Sequence, residues 1–225
     1  MRSARFGLLT ASGLLLASAS ALAQVSSQFP GSTPDRDWTA TAARTVGAGA
    51  NVIQAEGGWP GISVGLLHGY DDRTDIGARV AFNYSFYGTT NTATGVDLTI
   101  PIRRRLTLSD THGFDIGVHA APGIALYGNN GTLFGVELPV GIVAGYRIDP
   151  RTTFTLGADM PVLLSFTNPF GLLFGPLIGV GGEYKLQDNL AATLQFRVGP
   201  EFYIEHNPST HFAFQTLIGV AYALR

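Results

Sequence analysis

The sequence predicts an all-β fold: a transmembrane antiparallel up-and-down β-barrel of about ten strands, or about eight if the first two segments do not span, with short loops on both sides. Three observations predict it. The first is the alternation of Phe134–Ile148, where Phe134, Val136, Leu138, Val140, Ile142, Ala144, Tyr146 and Ile148 are apolar. Between them stand Gly135, Glu137, Pro139, Gly141, Val143, Gly145 and Arg147. A strand sends successive side chains to opposite faces, so one face is greasy and the other carries small and charged residues. The second is composition. Only 13% of residues are charged and 29 are glycine, with a mean hydropathy of +0.20, an unusual balance for a soluble domain of this size. The third is an export signal at the start of the chain.

That signal has a positive end in Arg2 and Arg5, an apolar stretch from Phe6 to Leu16, and a small-x-small cleavage site at Ala21-Leu22-Ala23. Residues 1–23 are expected to be a cleaved signal peptide. Residues 24–37, polar with Pro30 and Pro34, read as a flexible N-terminal arm, and 38–225 as the barrel domain. The chain has no cysteine, so neither disulfides nor thiolate metal sites contribute. A net charge of −2 argues against a nucleic-acid partner.

Strand-like segments are expected at 39–54, 61–70, 75–87, 93–106, 113–127, 132–148, 152–166, 172–186, 190–204 and 211–224. Spanning needs about 9–11 tilted residues, and nearly all of these segments are longer. The apolar run Met160 to Val180 could be taken for a membrane helix, but Pro161, Pro169 and Pro176 interrupt it, and Asn168-Pro169 is a turn signal.

The connections fall into two classes. Asp71-Asp72-Arg73, Arg103-Arg104-Arg105 with Asp110, Asp149-Pro150-Arg151, and Lys185 with Asp188 are charged. Gly88-Thr89-Thr90-Asn91, Gly128-Asn129-Asn130-Gly131, Asn168-Pro169 and His206-Asn207-Pro208-Ser209 carry no acid or base other than histidine, whereas the loop after the first segment holds Glu56. An even strand count puts both termini on the side of the charged turns.

The last segment, Leu217-Ile218-Gly219-Val220-Ala221-Tyr222-Ala223-Leu224, resembles the terminal strand of outer-membrane barrels, with Gly219, Tyr222 and Leu224 at the matching positions. Leu217 stands where a polar residue is usual, and Arg225 follows where many members end on Phe. The whole mature chain is thus similar to small bacterial outer-membrane β-barrel proteins. The resemblance implies residence in the Gram-negative outer membrane, contact with its lipid, and insertion by a barrel-assembly machinery that reads Gly219, Tyr222 and Leu224. It names no function.

Parity along the strands turns Asp97, Glu137 and Asp159 inward, together with Arg79, His119, Glu183, Arg197, Glu201 and Gln215. The three acids of the first group recur in a Gly-x-acid-x-Pro-like element that ends at Pro101, Pro139 or Pro161. Those prolines are expected at bulges or unpaired ladder positions, where parity could slip by one residue. Buried charges in a narrow lumen should pair. Two readings follow: a structural ion-pair core that closes the barrel, or a constriction in a narrow porin-like channel for small ions or solutes, with cation preference because acids dominate the outer half.

An enzyme, such as a lipid-modifying one, is the third class, and the chain is not expected to be one. It needs a histidine beside a serine or an acid. His119 could meet Asp97 or Glu137, and His206 and His211 flank Ser209 in a loop. His68 and His112 complete the candidates. No metal site is expected, since the spacing of His206 and His211 fits no strand face. No cofactor is expected either, because no glycine-rich phosphate loop joins a strand to a helix.

Overall fold

The computed structural model describes residues 37–85, 88, 93–107, 113–128, 132–167, 170–204 and 209–224. The expected signal peptide, nearly all of the arm, His112, His206 and the loop residues 129–131 and 168–169 lie outside the described residues. The described chain forms one antiparallel sheet of fifteen strands.

Three strands come first, β1 (Asn51–Trp59), β2 (Gly61–Gly69) and β3 (Thr74–Asn83). Each of the next five expected segments is split in two. They form β4 (Thr94–Thr99) with β5 (Ile102–Arg105), β6 (Phe114–Ala120) with β7 (Gly123–Gly128), and β8 (Thr132–Glu137) with β9 (Val140–Arg147). The last two are β10 (Thr152–Met160) with β11 (Val162–Ser165), and β12 (Gly171–Phe174) with β13 (Leu177–Gln187). β14 (Leu190–Ile204) and β15 (Ser209–Leu224) are unbroken. The strand count therefore exceeds the expected ten, and the cause is chemical. Every break contains a proline (Pro101, Pro122, Pro139, Pro161, Pro176), which has no N–H to give the ladder.

The breaks are neighbours in space. Ile100 N–H donates to the Pro122 carbonyl (2.9 Å), Ala121 N–H to that of Pro139 (2.9 Å), and Leu138 N–H to that of Val162 (2.8 Å). They form a slanted seam around the wall that keeps the broken ladders bonded. Parity does not slip across them. Asp97 and Arg103, on either side of one break, both line the interior, as do Glu137 and Val143 across another.

The sheet closes on itself. β1 pairs with β15 from Asn51↔Leu224 to Trp59↔Thr216. At the far side β12 pairs with β14, and β5 with β3. The outward face is apolar between two rows of aromatic rings. Val80, Leu98, Val118, Ile142, Leu156, Val180 and Leu194 are exposed along it. One aromatic row includes Tyr70, Phe114, Tyr146, Phe154 and Tyr184, with Tyr146 registered opposite both Phe114 and Phe154. The other includes Trp59 stacked on Phe214 and edge-on to Tyr84, and the contacts Phe134–Phe166–Phe170 and Phe174–Phe202.

The first expected strand, 39–54, is corrected. The strand is β1, and residues 37–50 instead run inside the ring. Trp38, Thr39, Ala40, Ala42, Ala43, Thr45 and Val46 are all buried, so this stretch has no wet face to alternate with a dry one. Glu56 belongs to β1 and not to a loop, since Pro60 alone connects β1 to β2. The triplet Arg103-Arg104-Arg105 is strand β5 rather than a turn, and Lys185 lies in β13. The turns at 71–73, 149–151 and 188–189 lie at the end where the 37–50 segment sits. Thr45 Oγ1 donates to the Asp72 carbonyl (2.9 Å) and Trp38 Nε1 to that of Asp188 (3.0 Å). β15 ends there too, with Ala223 N–H bonded to the Asn189 carbonyl (2.8 Å). We call this the turn end and the opposite rim the loop end.

Candidate functional site

The polar chemistry is concentrated in the interior, which has three levels. At the turn end the wall grips the 37–50 segment by its backbone. Arg103 donates to the carbonyls of Thr39 (2.8 Å), Ala40 (3.0 Å) and Ala42 (2.7 Å), and pairs with the fully buried Asp75. Asp75 also accepts from Val46 N–H (3.1 Å). Glu183 accepts from the N–H groups of Ala40 (2.8 Å) and Thr41 (3.2 Å). Arg44, from the segment, pairs with Asp115 of β6 (3.1 Å) and with Asp37 (2.8 Å). Lys185 sits over the Trp38 ring at 5.3 Å. A segment with no strand partner must satisfy its peptide groups otherwise, and here side chains of the wall do so.

The middle level surrounds a cavity of about 280 Å³, whose floor includes Ala40 and Thr41. Asp159 meets His119 Nε2 through one oxygen (2.6 Å) and Arg197 Nε through the other (3.0 Å). Arg197 also donates to Gln195 (2.8 Å), and Gln195 to Glu56 (2.8 Å). Arg79 approaches Glu56 at 3.7 Å. Glycine makes these contacts possible. Gly141 lies between His119 and Asp159 in the register, and a Cβ there would come within 2.5 Å of the imidazole and 2.6 Å of the carboxylate. Gly179, opposite Arg197, likewise leaves room for its side chain: a Cβ would stand 2.5 Å from Arg197 Cγ.

At the loop end Asn83 and Tyr127 both donate to Asp97, Tyr127 at 3.1 Å. Beside them lies an apolar cluster of Ala93, Ala125, Tyr127, Leu163 and Leu173. Glu137 is 3% exposed and Glu201 1% exposed. Neither oxygen of Glu201 has a hydrogen-bond partner among the described residues.

The structure places Arg79, Asp97, His119, Glu137, Asp159 and Arg197 on the cavity wall and buries Glu183 and Glu201 outside that lining, and the pairing differs from expectation. His119 meets Asp159, not Asp97 or Glu137, because the register β6–β9–β10 sets those two residues on either side of Gly141. Glu183 belongs to the turn-end grip. Glu56, Asp75, Arg103 and Asp115 were missed as interior charges. Parity counted from Asp97 through Pro101 reaches Arg103, and that signal was masked by the look of a basic turn. Of the terminal-strand residues, Gly219 faces Thr193 Oγ1 and the Ala55 carbonyl, Tyr222 pairs with Ile53 and Leu190, and Leu224 is buried opposite Asn51. Among the described residues no group of three His, Asp or Glu side chains could hold a metal ion.

No protein-family model matches the chain, and no curated protein sequence matches it significantly. Solved structures do. In-vitro folded OmpT, an outer membrane protein of Vibrio cholerae, is 15% identical over 88% of this chain and 73% of its own, with a TM-score of 0.38. Outer-membrane expressed OmpT of the same organism is 14% identical over the same shares, at 0.39. A trimer form of in-vitro folded OmpT is also 14% identical, at 0.36. Identity and TM-score at this level leave the reading of the chain to its own residues.

The expectation that the chain is not an enzyme is corrected. The solved structures named above are of OmpT, an outer membrane protein of Vibrio cholerae. A histidine beside an acid and a histidine beside a serine are both present, His119 with Asp159 (2.6 Å) and His211 with Ser209 (3.1 Å). Catalytic classes therefore stay open.

Proposed function

We propose that the chain is an integral β-barrel of the bacterial outer membrane whose lumen is a narrow conduit for small ions or solutes. The barrel reading is supported by the closed strand ring and by an apolar belt between two aromatic rows, the outward face that lipid selects. A soluble protein rarely exposes so large a continuous apolar surface. The terminal strand with Gly219, Tyr222 and Leu224 fits recognition by a barrel-assembly machinery, and the short connections leave the lumen as the main place for chemistry.

The single observation that carries the conduit is the charged cavity at mid-depth. Glu56, Asp97, Glu137 and Asp159 line it against Arg79, Arg103 and Arg197. Arg103 is committed to the 37–50 segment, so the balance favours cations. Planar-bilayer recording tests this. Wild type should conduct with cation preference, and Asp159→Asn should reduce that preference. A silent protein, or a preference that neutralisation leaves unchanged, would refute the conduit.

The apolar cluster around Leu163 and Leu173 favours a second reading, a structural wall protein whose lumen is permanently closed. It predicts no conductance and a heat-resistant fold.

A further inference from the structure

We propose that the turn-end interior is a peptide-binding site, and that residues 37–50 are its occupant: a displaceable plug that closes the lumen. The proposal rests on the conduit reading above.

The grip is directed at peptide backbone. Arg103 takes three carbonyls, of Thr39, Ala40 and Ala42, while Glu183 takes the N–H groups of Ala40 and Thr41. One wall cation and one wall anion therefore read opposite edges of the same short stretch. Such a site accepts a tightly bent small-residue peptide, in which Thr39 Oγ1 donates to the Arg44 carbonyl (2.6 Å), and is closed to bulky side chains. Gly117 and Gly145 press against Ala43 and Ala42, and a Cβ at either glycine would stand 3.3 and 3.0 Å from the respective alanine Cβ. Two anchors flank the stretch, Trp38 under Lys185 and Arg44 on Asp115.

The attachment lies at the turn end of the lumen: it is polar from Thr39 to Arg44, and apolar where Trp38, Ala40, Val46 and Ala50 pack with Val52, Leu67, Ala191, Ala221 and Ala223. Just before Asn51, where β1 begins, its backbone meets that of the wall at Gly69, which accepts from Gly49 N–H (2.7 Å) and donates to the Ala50 carbonyl (2.9 Å). Withdrawal of residues 37–48 therefore breaks side-chain contacts and leaves the strand ladders of the wall intact. With Ala40 and Thr41 as the floor of the cavity, that withdrawal would join the cavity to the turn-end solvent.

The chain has no cysteine, so a disulfide lock is clean. The Ala43→Cys/Gly117→Cys pair places its Cβ atoms near the ~3.5–4.5 Å a disulfide needs. In planar bilayers the reduced double variant should open, the oxidised form should lose at least about tenfold of its open time, and reductant should restore it. Equal conduction in both redox forms, with the cross-link verified by mass, would overturn the plug and leave the conduit standing. Silence in both forms and in Glu183→Gln would overturn the conduit and the plug with it. A second readout does not need the lock. In vesicles, Ala43→Cys should react slowly with a water-soluble maleimide, and adding Glu183→Gln should speed it several-fold. An unchanged rate would count against a displaceable segment.

Discussion

The two halves of the interior solve the same packing problem differently. At the turn end, main chain fills the ring: residues 37–50 bring peptide groups into the lumen, and Arg103, Asp75, Glu183 and Asp115 satisfy them. Toward the loop end, side chains fill it, with Asp159, His119 and Arg197 around a cavity and an apolar cluster beyond. The first arrangement leaves little for water to do. The second leaves Arg197 and His119 partly wet, at 31% and 26% side-chain exposure. Equal-looking ion pairs should therefore differ in energetic weight, since a buried charge left alone is expensive and a wetted one is not.

The largest contrast is expected from Arg103→Ala. It strands the fully buried Asp75 and should cost about 3–5 kcal/mol in urea unfolding from vesicles. Arg197→Ala, in the wetted half, should cost clearly less, and equal losses would erase the distinction. Outside the wall at the seam, Val140→Arg should cost about 2–4 kcal/mol by facing lipid. If that variant folds into bilayers as well as wild type, the outward assignment fails. Gly141→Ala should cost about 1–3 kcal/mol by overpacking, because its Cβ would push His119 away from Asp159. An unperturbed His119 imidazole resonance in that variant would contradict the contact.

The smallest effect lies in the turns. Backbone N–H of Arg73 holds the Asp71 carboxyl below its ordinary range, and that of Arg151 does so for Asp149. A depressed folded-state value stabilises above the unfolded-state value of 3.8 and is lost as pH falls through the folded one. Asp149→Asn should therefore flatten the fall in stability as pH drops below 3.8. An acid limb as steep as that of wild type would rule the turn out as its source.

The wall was legible in the sequence because strand period and burial coincide. Phe134 to Ile148 alternates, and the alternation survives Pro139 since each break leaves parity unchanged. The 37–50 segment was not legible. Ala40, Ala42, Ala43, Thr39 and Thr41 are small at both parities, which a strand also tolerates, and only the closed ring supplies a space that buries them on every side. His119 meets Asp159 and not Asp97 or Glu137, because its partner depends on which strands flank Gly141. Parity cannot give that neighbour relation, but strand order can.

The contrast between the two halves is tested most directly by single-cysteine reactivity in reconstituted vesicles, with Ala42→Cys in the segment and Gln215→Cys on the cavity wall. Ala42 is 1% exposed, and Gln215 lines the cavity. Cys at 215 should react with a small water-soluble thiol reagent at least about tenfold faster than Cys at 42, in line with a solvated cavity above a packed segment. Equal rates, or faster reaction at 42, would contradict the account.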